Sequence, residues 1–386
     1  MISKKKIIYL LTEDWFFCSH FIERAIAAQA AGYEVVIVAR ESVHGEFIRA
    51  ADLRFIGLEF ARRSINPLTE LLLILKILAL YRHERPDIVH HISSKPILYG
   101  TAAALLAGVP AIVNAPVGMG YVFSSRDWRA RFLRPFVRIA YRFLTNPRRS
   151  RVIFENSDDL NSFINWGAAR VSDVVLIRGA GVDLNRFRPV AKNNPHPVIG
   201  LVARMLFDKG INEYVTAAHE LNNEGVVARF LLVGDADPMN PTSIPVKTLE
   251  AWHGKKGLEW LGWCEDIPGL LEKIDVMCLP SYREGLPKSL IEAAASGLPI
   301  VTTDTPGCRE VVRHGYNGFL VPVGDAYKLA KFLKQLIQDP ELRDRMGARG
   351  ARLAAEEFSS DRVIAETLSL YGKLPPVRQD KRPISR

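Results

Sequence analysis

Short apolar runs alternate with helix-like segments along almost the whole chain of 386 residues. Runs such as 6–11, 34–39 and 87–92 predict buried strands, and the three-to-four-residue apolar spacing of segments such as 67–83 predicts helices between them. Strands that are joined through helices usually lie parallel, and a parallel sheet is covered by helices on both faces. The alternation therefore predicts the α/β class.

The alternation is interrupted once, at residues 188–197 (RPVAKNNPHP), whose proline and asparagine content is typical of a linker. We therefore predict two Rossmann-like α/β/α domains with parallel sheets, over residues 1–188 and 189–360, that face a central cleft. Residues 361–386 are expected to form a C-terminal helix that packs back toward the first domain, followed by a disordered tail. Clefts between domains are favoured ligand sites.

Composition limits the cellular setting. The net charge of +9 is carried entirely by residues 1–190, and the later residues are balanced. The four scattered cysteines show no C-x-x-C pair, which argues for reduced thiols and against a zinc site or a disulfide frame. The longest apolar run, 68–80, is too short for a membrane span, and no secretory signal precedes the first strand. We expect a cytoplasmic protein.

Glu284 and Glu292 lie eight residues apart in a predicted strand–helix–strand unit (strand 274–279, helix 288–296, strand 299–303). Ligands of parallel sheets gather at the carboxyl ends of the strands, where Glu284 would lie. A carboxylate can accept two hydrogen bonds from a vicinal diol, so the pair indicates a ligand with two sets of hydroxyls, such as a sugar joined to a ribose. Alternatively, glutamates near a helix start simply favour the helix dipole.

A basic loop follows the predicted first strand of the second domain, 198–203. It carries Arg204 and Lys209, and Gly210 opens the next helix. Two cations and a helix N-terminus at the carboxyl end of a strand form a phosphate site, although a basic loop alone is often only solvated. Cations for a diphosphate and carboxylates for hydroxyls together describe a nucleotide sugar.

Five motifs carry a family resemblance: VARMLFDKG, LVGD, LGWCEDIPGLL, LPSYREGLPKSLIEAAASGLPIVTTD and GCREVV…GYNGFLVP. With them the chain resembles the retaining glycosyltransferases of the GT-B fold. More narrowly, it resembles the large bacterial family (glycosyltransferase family 4, or group 1) that builds capsular, exo- and lipid-linked polysaccharides. The resemblance covers nearly the whole chain and is most specific over residues 198–325.

The resemblance implies roles for individual residues in binding the donor. Arg204 and Lys209 would hold its diphosphate, Glu284 would bind sugar hydroxyls, and Glu292 would bind the ribose. The remaining donor contacts would come from the backbone at Gly285, Leu286 and Pro287, near the sugar and phosphates, and at Cys264–Ile267, including Asp266 and Ile267, near the nucleobase.

The reaction implied is transfer of a sugar from a nucleoside diphosphate, UDP by resemblance, to an acceptor hydroxyl with retained anomeric configuration. Arg204, Lys209 and the helix dipole would neutralise the charge of the leaving diphosphate. We also expect no D-x-D carboxylate pair that would hold a metal ion, and therefore neither a metal ion nor another cofactor.

The first domain departs from the family pattern at residues 12–21 (TEDWFFCSHF), where many relatives carry a Gly-Gly loop. Ser19 and His20 lie where the next helix is expected to begin. His20 either faces the cleft on the acceptor side or belongs to the neighbourhood of the helix cap.

A second departure concerns the histidine that many relatives place near the sugar. The matching region, 114–123, contains Gly118 and Gly120 but no histidine. His91, at the end of the strand 87–92, is instead expected to point into the cleft together with Lys95. The alternative is a structural histidine within the strand.

The segment 128–144 (WRARFLRPFVRIAYRFL) predicts a basic amphipathic helix. Its aromatic and aliphatic residues are Trp128, Phe132, Phe136, Ile139 and Phe143, and its arginines are Arg131, Arg134, Arg138 and Arg142. Aromatic anchors beside arginines suit the surface of an anionic membrane. A core-packing helix with a solvated basic face is the alternative. No nucleic-acid motif accompanies the patch.

Together these features predict a retaining glycosyltransferase that is peripherally associated with the inner face of the plasma membrane. Its partners would be a nucleotide sugar, by resemblance a UDP-sugar, and a lipid-linked (polyprenyl-diphosphate) glycan acceptor. The reaction would belong to bacterial surface polysaccharide synthesis, and no nucleic acid would be involved. Two alternatives stay open: a sugar-nucleotide 2-epimerase of the same fold, and a catalytically idle membrane-bound scaffold.

Overall fold

The structure is a computed structural model that describes residues 4–60, 66–118, 123, 128–147, 149–192 and 194–374, with only the backbone described at 128–130. The chain divides into two compact units. Met1–Ala180 and Val363–Arg386 form the first unit, and Gly181–Arg362 form the second. The segment predicted as a linker, 188–197, therefore belongs to the second unit. The tail that was predicted to be disordered, from residue 375, lies outside the described residues.

The first unit is built on a seven-stranded parallel sheet with the order β3-β2-β1-β4-β5-β6-β7. The strands are β1 (Lys6–Glu13), β2 (Glu34–Arg40), β3 (Arg54–Gly57), β4 (Ile88–Ile92), β5 (Ala111–Ala115), β6 (Ser150–Phe154) and β7 (Val174–Leu176). The described helices between them are α1 (Asp14–His20), α2 (Ile22–Ala30), α3 (His44–Ala50), α4 (Pro67–Glu84), α5 (Ser94–Ala107), α6 (Trp128–Leu144) and α7 (Ser157–Asn165).

The second unit is built on a six-stranded parallel sheet with the order β10-β9-β8-β11-β12-β13. The strands are β8 (Val198–Val202), β9 (Arg229–Val233), β10 (Leu258–Trp260), β11 (Val276–Leu279), β12 (Ile300–Thr303) and β13 (Gly318–Val321). The helices are α8 (Ile211–Asn223), α9 (Val246–Trp252), α10 (Ile267–Leu271), α11 (Lys288–Ala295), α12 (Pro306–Val311), α13 (Ala326–Gln338) and α14 (Pro340–Glu357).

Strand order reverses once in each sheet, between β1 and β4 and between β8 and β11. Connections on the two sides of such a reversal run to opposite faces of the sheet and leave a crevice at the carboxyl ends of the two central strands. The topology therefore gives each unit one favoured place for a ligand.

Both faces of the first sheet are buried. Ile8 and Leu10 of β1 pack in one core with α4 and α5, whereas Ile7 and Tyr9 pack in another with α1, α2 and α3. The last helix, α15 (Ser360–Gly372), joins the second of these cores through Tyr371. The hydroxyl of Tyr371 lies 2.8 Å from that of Tyr9, and both side chains are completely buried.

Local capping explains why the long helices begin where they do. Asn66 accepts a hydrogen bond from the Leu68 amide at the start of α4, and Asp339 accepts one from the Leu342 amide at the start of α14. A proline occupies the first turn in both cases, as its missing N–H permits. Gly297, with φ of 72°, follows the end of α11 in the left-handed conformation.

Sequence reasoning missed several short elements: α3, β3, α9, α12 and β13. It was also wrong about the first helix, which begins at Asp14 and ends at His20, where a helix start had been expected. No helix in the described part of the chain combines the length and the apolar character needed to cross a membrane.

Candidate active site

The basic loop after β8 and the glutamate loop after β11 touch at the strand-order reversal of the second unit. Gly210, with φ of 73°, opens α8 at this contact. A Cβ atom on Gly210 would lie 2.0 Å from the carbonyl oxygen of Pro280, so only glycine allows the approach. The Tyr282 amide and the Ser281 hydroxyl donate to the Asp208 carbonyl at 2.8 and 3.0 Å. The two loops thus form one surface.

Lys209 and Glu284 form an ion pair across this contact, with 2.6 Å between Nζ and Oε1. Their side chains are only 21% and 10% exposed. The cation predicted for a phosphate and the carboxylate predicted for sugar hydroxyls are therefore neighbours. That arrangement suits a ligand in which a sugar is bonded directly to a phosphate.

Arg204 is paired as well, with Nη1 2.8 Å from Oδ2 of Asp237. Asp237 follows β9 and forms, with Asp235, a D-x-D pair that sequence reasoning overlooked. Its loop is held against the basic loop by hydrogen bonds such as that from the Phe207 amide to the Thr242 carbonyl, 2.8 Å. Within the described ranges, no three His, Cys, Asp or Glu side chains are grouped so that they could hold a metal ion.

Glu292 is buried in α11 and is 8% exposed. Burial raises the pKa of its carboxyl group, and the positive charges of Lys288 and Arg186 only partly oppose this rise. Lys288 Nζ lies 3.5 Å from Oε1 of Glu292. A buried carboxylate whose neighbouring cations do not fully offset its burial gains from added hydrogen-bond donors, which is what a pair of hydroxyls supplies. Sequence reasoning named Glu292 but neither cation beside it.

The segment Gly285–Pro287 runs between Glu284 and α11 and is held from one side by α12. A Cβ atom on Gly307 of α12 would lie 2.3 Å from the Gly285 carbonyl oxygen, so the two backbones are in close contact. Leu286 is buried and Pro287 caps α11. Contacts of this segment with a donor stay a prediction.

Asp266 uses its side chain to cap α10, accepting a hydrogen bond from the Gly269 amide at 3.0 Å. Ile267 is the first residue of that helix. The side chain of Asp266 is thus engaged within the protein. The contact of this loop with a nucleobase remains a prediction.

Comparison with known proteins identifies the family. The family model described as "Glycosyl transferases group 1" matches residues 183–353, and the one described as "Glycosyl transferase 4-like" matches residues 6–156. The chain belongs to this glycosyltransferase family. The first of these matches includes the loops that carry Arg204, Lys209 and Glu284 and the helix that carries Glu292.

Two curated relatives match this glycosyltransferase over most of their length. The N,N'-diacetylbacillosaminyl-diphospho-undecaprenol alpha-1,3-N-acetylgalactosaminyltransferase of Campylobacter jejuni is 27% identical over 88% of the chain and 91% of that protein. The UDP-Gal:alpha-D-GlcNAc-diphosphoundecaprenol alpha-1,3-galactosyltransferase of Escherichia coli is 28% identical over 72% of the chain and 74% of that protein.

Among solved structures, HepE of Anabaena in complex with UDP and glucose superposes with a TM-score of 0.75 at 20% identity. The superposition covers 96% of this chain and all of HepE. The glycosyltransferase thus has the GT-B fold that its motifs imply.

The prediction that His91 points into an open site of the glycosyltransferase is wrong. His91 is completely buried on β4. Its Nε2 lies 3.0 Å from the Tyr81 hydroxyl and its Nδ1 lies 2.9 Å from Oδ1 of Asn114. Burial lowers the pKa of the imidazole to about 4, against a smaller opposing effect of Asn114. The strand is covered on both faces, so His91 is a structural residue that joins β4 to α4 and β5.

His20 takes part in the packing at the end of α1. Its ring stacks on that of Phe16 with 4.2 Å between the ring centres. Its carbonyl oxygen accepts a hydrogen bond from Nη2 of Arg24 at 3.1 Å. These contacts fit the helix-end interpretation better than a direct acceptor role, which no comparison tests.

Lys95, in the first turn of α5, forms an ion pair with Glu70 of α4, 3.0 Å between Nζ and Oε1. Gly118 adopts a left-handed conformation with φ of 59°, and Gly120 lies outside the described residues. Ser93, between β4 and α5, has φ of 76°, a strained value for a residue other than glycine. Acceptor contacts of Lys95, Gly118 and Gly120 remain predictions.

Helix α6 does not pack its aromatic stripe into the core, so the core-packing alternative is wrong for that stripe. The exposed fractions are 65% for Phe132, 58% for Phe136, 55% for Ile139 and 72% for Phe143. Tyr141 is the buried residue that attaches the helix to the unit. Arg131, Arg138 and Arg142 are exposed and Arg134 is half-buried. The side chain of Trp128 lies outside the described residues.

Proposed function

We propose that this glycosyltransferase moves a sugar from a UDP-sugar to a hydroxyl of a polyprenyl-diphosphate-linked glycan, with retention of configuration and without a metal ion. The reaction would take place at the inner face of the plasma membrane, in the synthesis of a surface polysaccharide. The observation that carries the donor half of this proposal is the contact of Lys209 with Glu284 at the strand-order reversal of the second unit.

The donor fits this surface group by group. Arg204 and Lys209 supply positive charge for the diphosphate, and the 13-residue helix α8 begins beside them. Glu284 is close enough to Lys209 to receive the hydroxyls of a sugar attached to that phosphate. Glu292 gives the ribose hydroxyls a buried acceptor. UDP is favoured as the nucleotide because the Escherichia coli relative is named for UDP-Gal and HepE binds UDP.

A bound donor must replace or share the partners in the two ion pairs of this site, Lys209–Glu284 and Arg204–Asp237. The diphosphate would take over Lys209 from Glu284, and Glu284 would accept hydroxyls from the sugar instead. Arg204 has five donors on its guanidinium and can keep Asp237 while it binds a phosphate oxygen. Binding is thus an exchange of partners, which limits the cost of desolvating the charges.

In the transfer step, the bond between the anomeric carbon and the phosphate oxygen breaks while a bond to the acceptor oxygen forms on the same face of the sugar. The proton of the acceptor hydroxyl passes to the leaving phosphate oxygen. Negative charge that develops on the diphosphate is stabilised by Arg204, Lys209 and the start of α8. These groups would do the work that a divalent cation does in other transferases.

The acceptor class rests on the relatives. The Campylobacter jejuni and Escherichia coli proteins are named for undecaprenyl-diphosphate-linked sugars. Such an acceptor lies in a membrane, and the exposed aromatic and arginine side chains of α6 suit a surface of anionic lipid. The same helix would bring the enzyme to the leaflet that holds its acceptor.

A donor and acceptor panel tests the proposal. The purified enzyme is incubated with UDP-, GDP- and ADP-sugars, with and without a synthetic polyprenyl-diphosphate-linked monosaccharide, in the presence of EDTA. We expect an acceptor-dependent disaccharide with a UDP-sugar, with the donor's anomeric configuration by NMR. An epimerised sugar nucleotide without acceptor, an inverted linkage, or activity that EDTA abolishes would each contradict a stated part of the proposal.

Recruitment by α6 is tested separately by flotation with anionic vesicles. Replacing Arg131, Arg134, Arg138 and Arg142 by Ser is expected to abolish most of the binding. A control variant removes the same charge from the second unit by replacing Arg345, Arg349, Arg352 and Arg362 by Ser, and is expected to float like the wild type. Equal flotation of all three proteins would exclude α6 as the membrane contact.

A further inference from the structure

Helix α4 exposes a stripe of leucines that the sheet does not use. The exposed fractions are 71% for Leu68, 52% for Leu71, 57% for Leu72 and 49% for Leu75. The core of the first unit is instead served by Leu73, Ile77 and Tyr81 on the other side of the same helix. The helix is thus apolar on both sides of its first half, and only one side is buried by the protein.

The leucine stripe, defined as Leu68, Leu71, Leu72 and Leu75, follows the spacing of a single helix face. Four neighbouring leucines that are about half exposed or more form a contiguous apolar patch, unlike an isolated surface leucine. Patches of this kind mark a contact with a partner or a membrane.

The position of α4 relative to α6 indicates which partner it is. Both helices pack against α5, and all three cover the same face of the seven-stranded sheet. The pair Lys95–Glu70 ties the starts of α4 and α5 together. The outward sides of α4 and α6 therefore belong to one helical layer, with α5 between them.

The charges in this layer favour anionic lipid over a protein partner. The outward side of α6 carries exposed Arg131, Arg138 and Arg142, and the outward side of α4 carries exposed Lys76 directly after the stripe. Cations that flank apolar side chains match the order of a bilayer surface, in which phosphate groups lie above acyl chains.

We propose that the leucine stripe of α4 inserts into the same anionic leaflet that α6 contacts, so that two helices hold the first unit on the membrane. This inference rests on the membrane docking given under the proposed function. The contributions of the two helices differ in kind. The arginines of α6 attract phosphate groups and are screened by salt, whereas the leucines of α4 are not.

Two lines of contact also fix the orientation of the unit. A single amphipathic helix can roll about its own axis on the surface, but two helices on either side of α5 define a plane. The second contact should therefore matter more for turnover of an acceptor embedded in a vesicle than for turnover of a short-chain acceptor in solution.

The test compares three proteins in vesicle binding at low and high salt: the wild type, a stripe variant and a control. The stripe variant carries Leu68→Gln, Leu71→Gln, Leu72→Gln and Leu75→Gln, which keep the helix propensity of α4. The control carries Val227→Gln, Val246→Gln and Tyr327→Gln, which remove exposed apolar side chains from the second unit. Vesicles are phosphatidylglycerol mixed with phosphatidylcholine, and circular dichroism melts verify folding.

We expect the partition coefficient of the stripe variant to fall at least about tenfold at high salt, with a smaller loss at low salt, while the control binds like the wild type. We also expect kcat/KM to fall with a vesicle-embedded acceptor and to be unchanged with a short-chain acceptor. Equal binding of stripe variant and wild type at both salt concentrations would overturn the inference.

Two further outcomes separate the possible failures. If the wild type itself does not bind anionic vesicles, the docking given under the proposed function fails, and this inference fails with it. If the wild type binds vesicles as the stripe variant does, but light scattering shows a dimer that the stripe variant cannot form, the occupant of the stripe is a second copy of the chain. That outcome overturns the lipid assignment alone.

Discussion

Both units contain a parallel sheet whose strand order reverses once, but different side chains lie at the two reversals. In the second unit, charged side chains meet there: Lys209 with Glu284, and Arg204 with Asp237. In the first unit, the histidine at the corresponding end of β4 is buried and hydrogen bonded to its own neighbours. In this unit, exposed apolar side chains lie instead on the helices α4 and α6.

Under the proposed function, the two units have different tasks. A nucleotide sugar is small and highly charged, so a few fixed side chains at the strand ends can recognise it. An acceptor held in a membrane is presented by the bilayer, so the unit that meets it needs a surface for the bilayer as much as a pocket. The same topology therefore carries a compact charged site in one unit and a broad apolar and basic surface in the other.

The largest effect that this comparison predicts comes from Lys209→Ala. Loss of the cation beside the leaving diphosphate should lower kcat/KM by about 10²- to 10³-fold, measured as sugar transfer under initial-rate conditions. The matched control is Lys334→Ala, which removes a lysine from the exposed pair Lys334–Glu224 of the same unit. Full activity of Lys209→Ala would show that the charged edge of the second unit is not the donor site.

His91→Ala tests the first unit in the opposite way. It removes the buried hydrogen bonds of His91 to Tyr81 and Asn114 and opens a cavity, so it should cost about 3 kcal/mol of unfolding free energy. Turnover by the protein that stays folded should change less than about threefold, because His91 touches no site. The control His196→Ala alters an exposed histidine of the second unit. A large loss of turnover at unchanged stability would restore His91 to the acceptor side.

Glu84→Gln tests whether the stability of the first unit depends on pH through this carboxylate. Burial alone would raise the pKa of Glu84, but hydrogen bonds from Arg54 and Lys6 lower it to about 2, below its ordinary value of 4.5. The stabilisation is complete above pH 4.5 and is lost as the pH falls toward 2. The variant should be roughly 2 kcal/mol less stable at pH 7, with the difference vanishing near pH 2.

Hydrogen exchange of β1 and β3 measures that loss in the first unit, because Glu84 accepts hydrogen bonds from Lys6 of β1 and Arg54 of β3. Exchange of β8 and β11 in the second unit should not respond to the substitution. An equal response of both sheets, or a difference that persists at pH 2, would contradict the assignment.

Glu292→Gln is expected to change stability and affinity the least of these variants, and to affect only binding of the donor. Its folded pKa is raised by burial, so the ionised carboxylate costs stability as the pH rises above the ordinary value. The amide carries no charge, so the melting temperature at pH 7 should stay equal or rise. Affinity for the UDP-sugar should fall about tenfold by calorimetry, because the amide accepts fewer hydrogen bonds from the ribose. Glu341→Gln, at an exposed glutamate, is the control.

Most of the fold could be predicted because its signals are local. The bounds of α4, α6 and α11 agree to within one residue with the predicted helices 67–83, 128–144 and 288–296, because the apolar spacing and the flanking proline or glycine residues mark them. Short elements such as β3, β13 and α12 carry four to six residues each, too few to show a period. Their formation depends on the sheet that they join.

The site could be predicted in its residues but not in its contacts. Lys209 and Glu284 were named from separate motifs, whereas their pairing joins residues 75 positions apart and depends on the approach of Gly210 to Pro280. Asp237 was missed because it lies in a loop without a period, two residues beyond the motif LVGD, and its D-x-D spacing from Asp235 was overlooked. His91 was misassigned because alternation distinguishes two faces of a strand, and in a sheet covered on both sides neither face is open.

The burial of Tyr371 against Tyr9 affects the order in which the two units can fold during synthesis. Residues 4–180 emerge first, but one core of their sheet lacks Val363, Leu370 and Tyr371 until α15 has been made. The second unit is one continuous stretch and needs nothing that is synthesised after Arg362. The usual order, in which the N-terminal part of a chain folds first, is therefore reversed here. The first unit, which contains the N-terminal part of the chain, is therefore completed after the second.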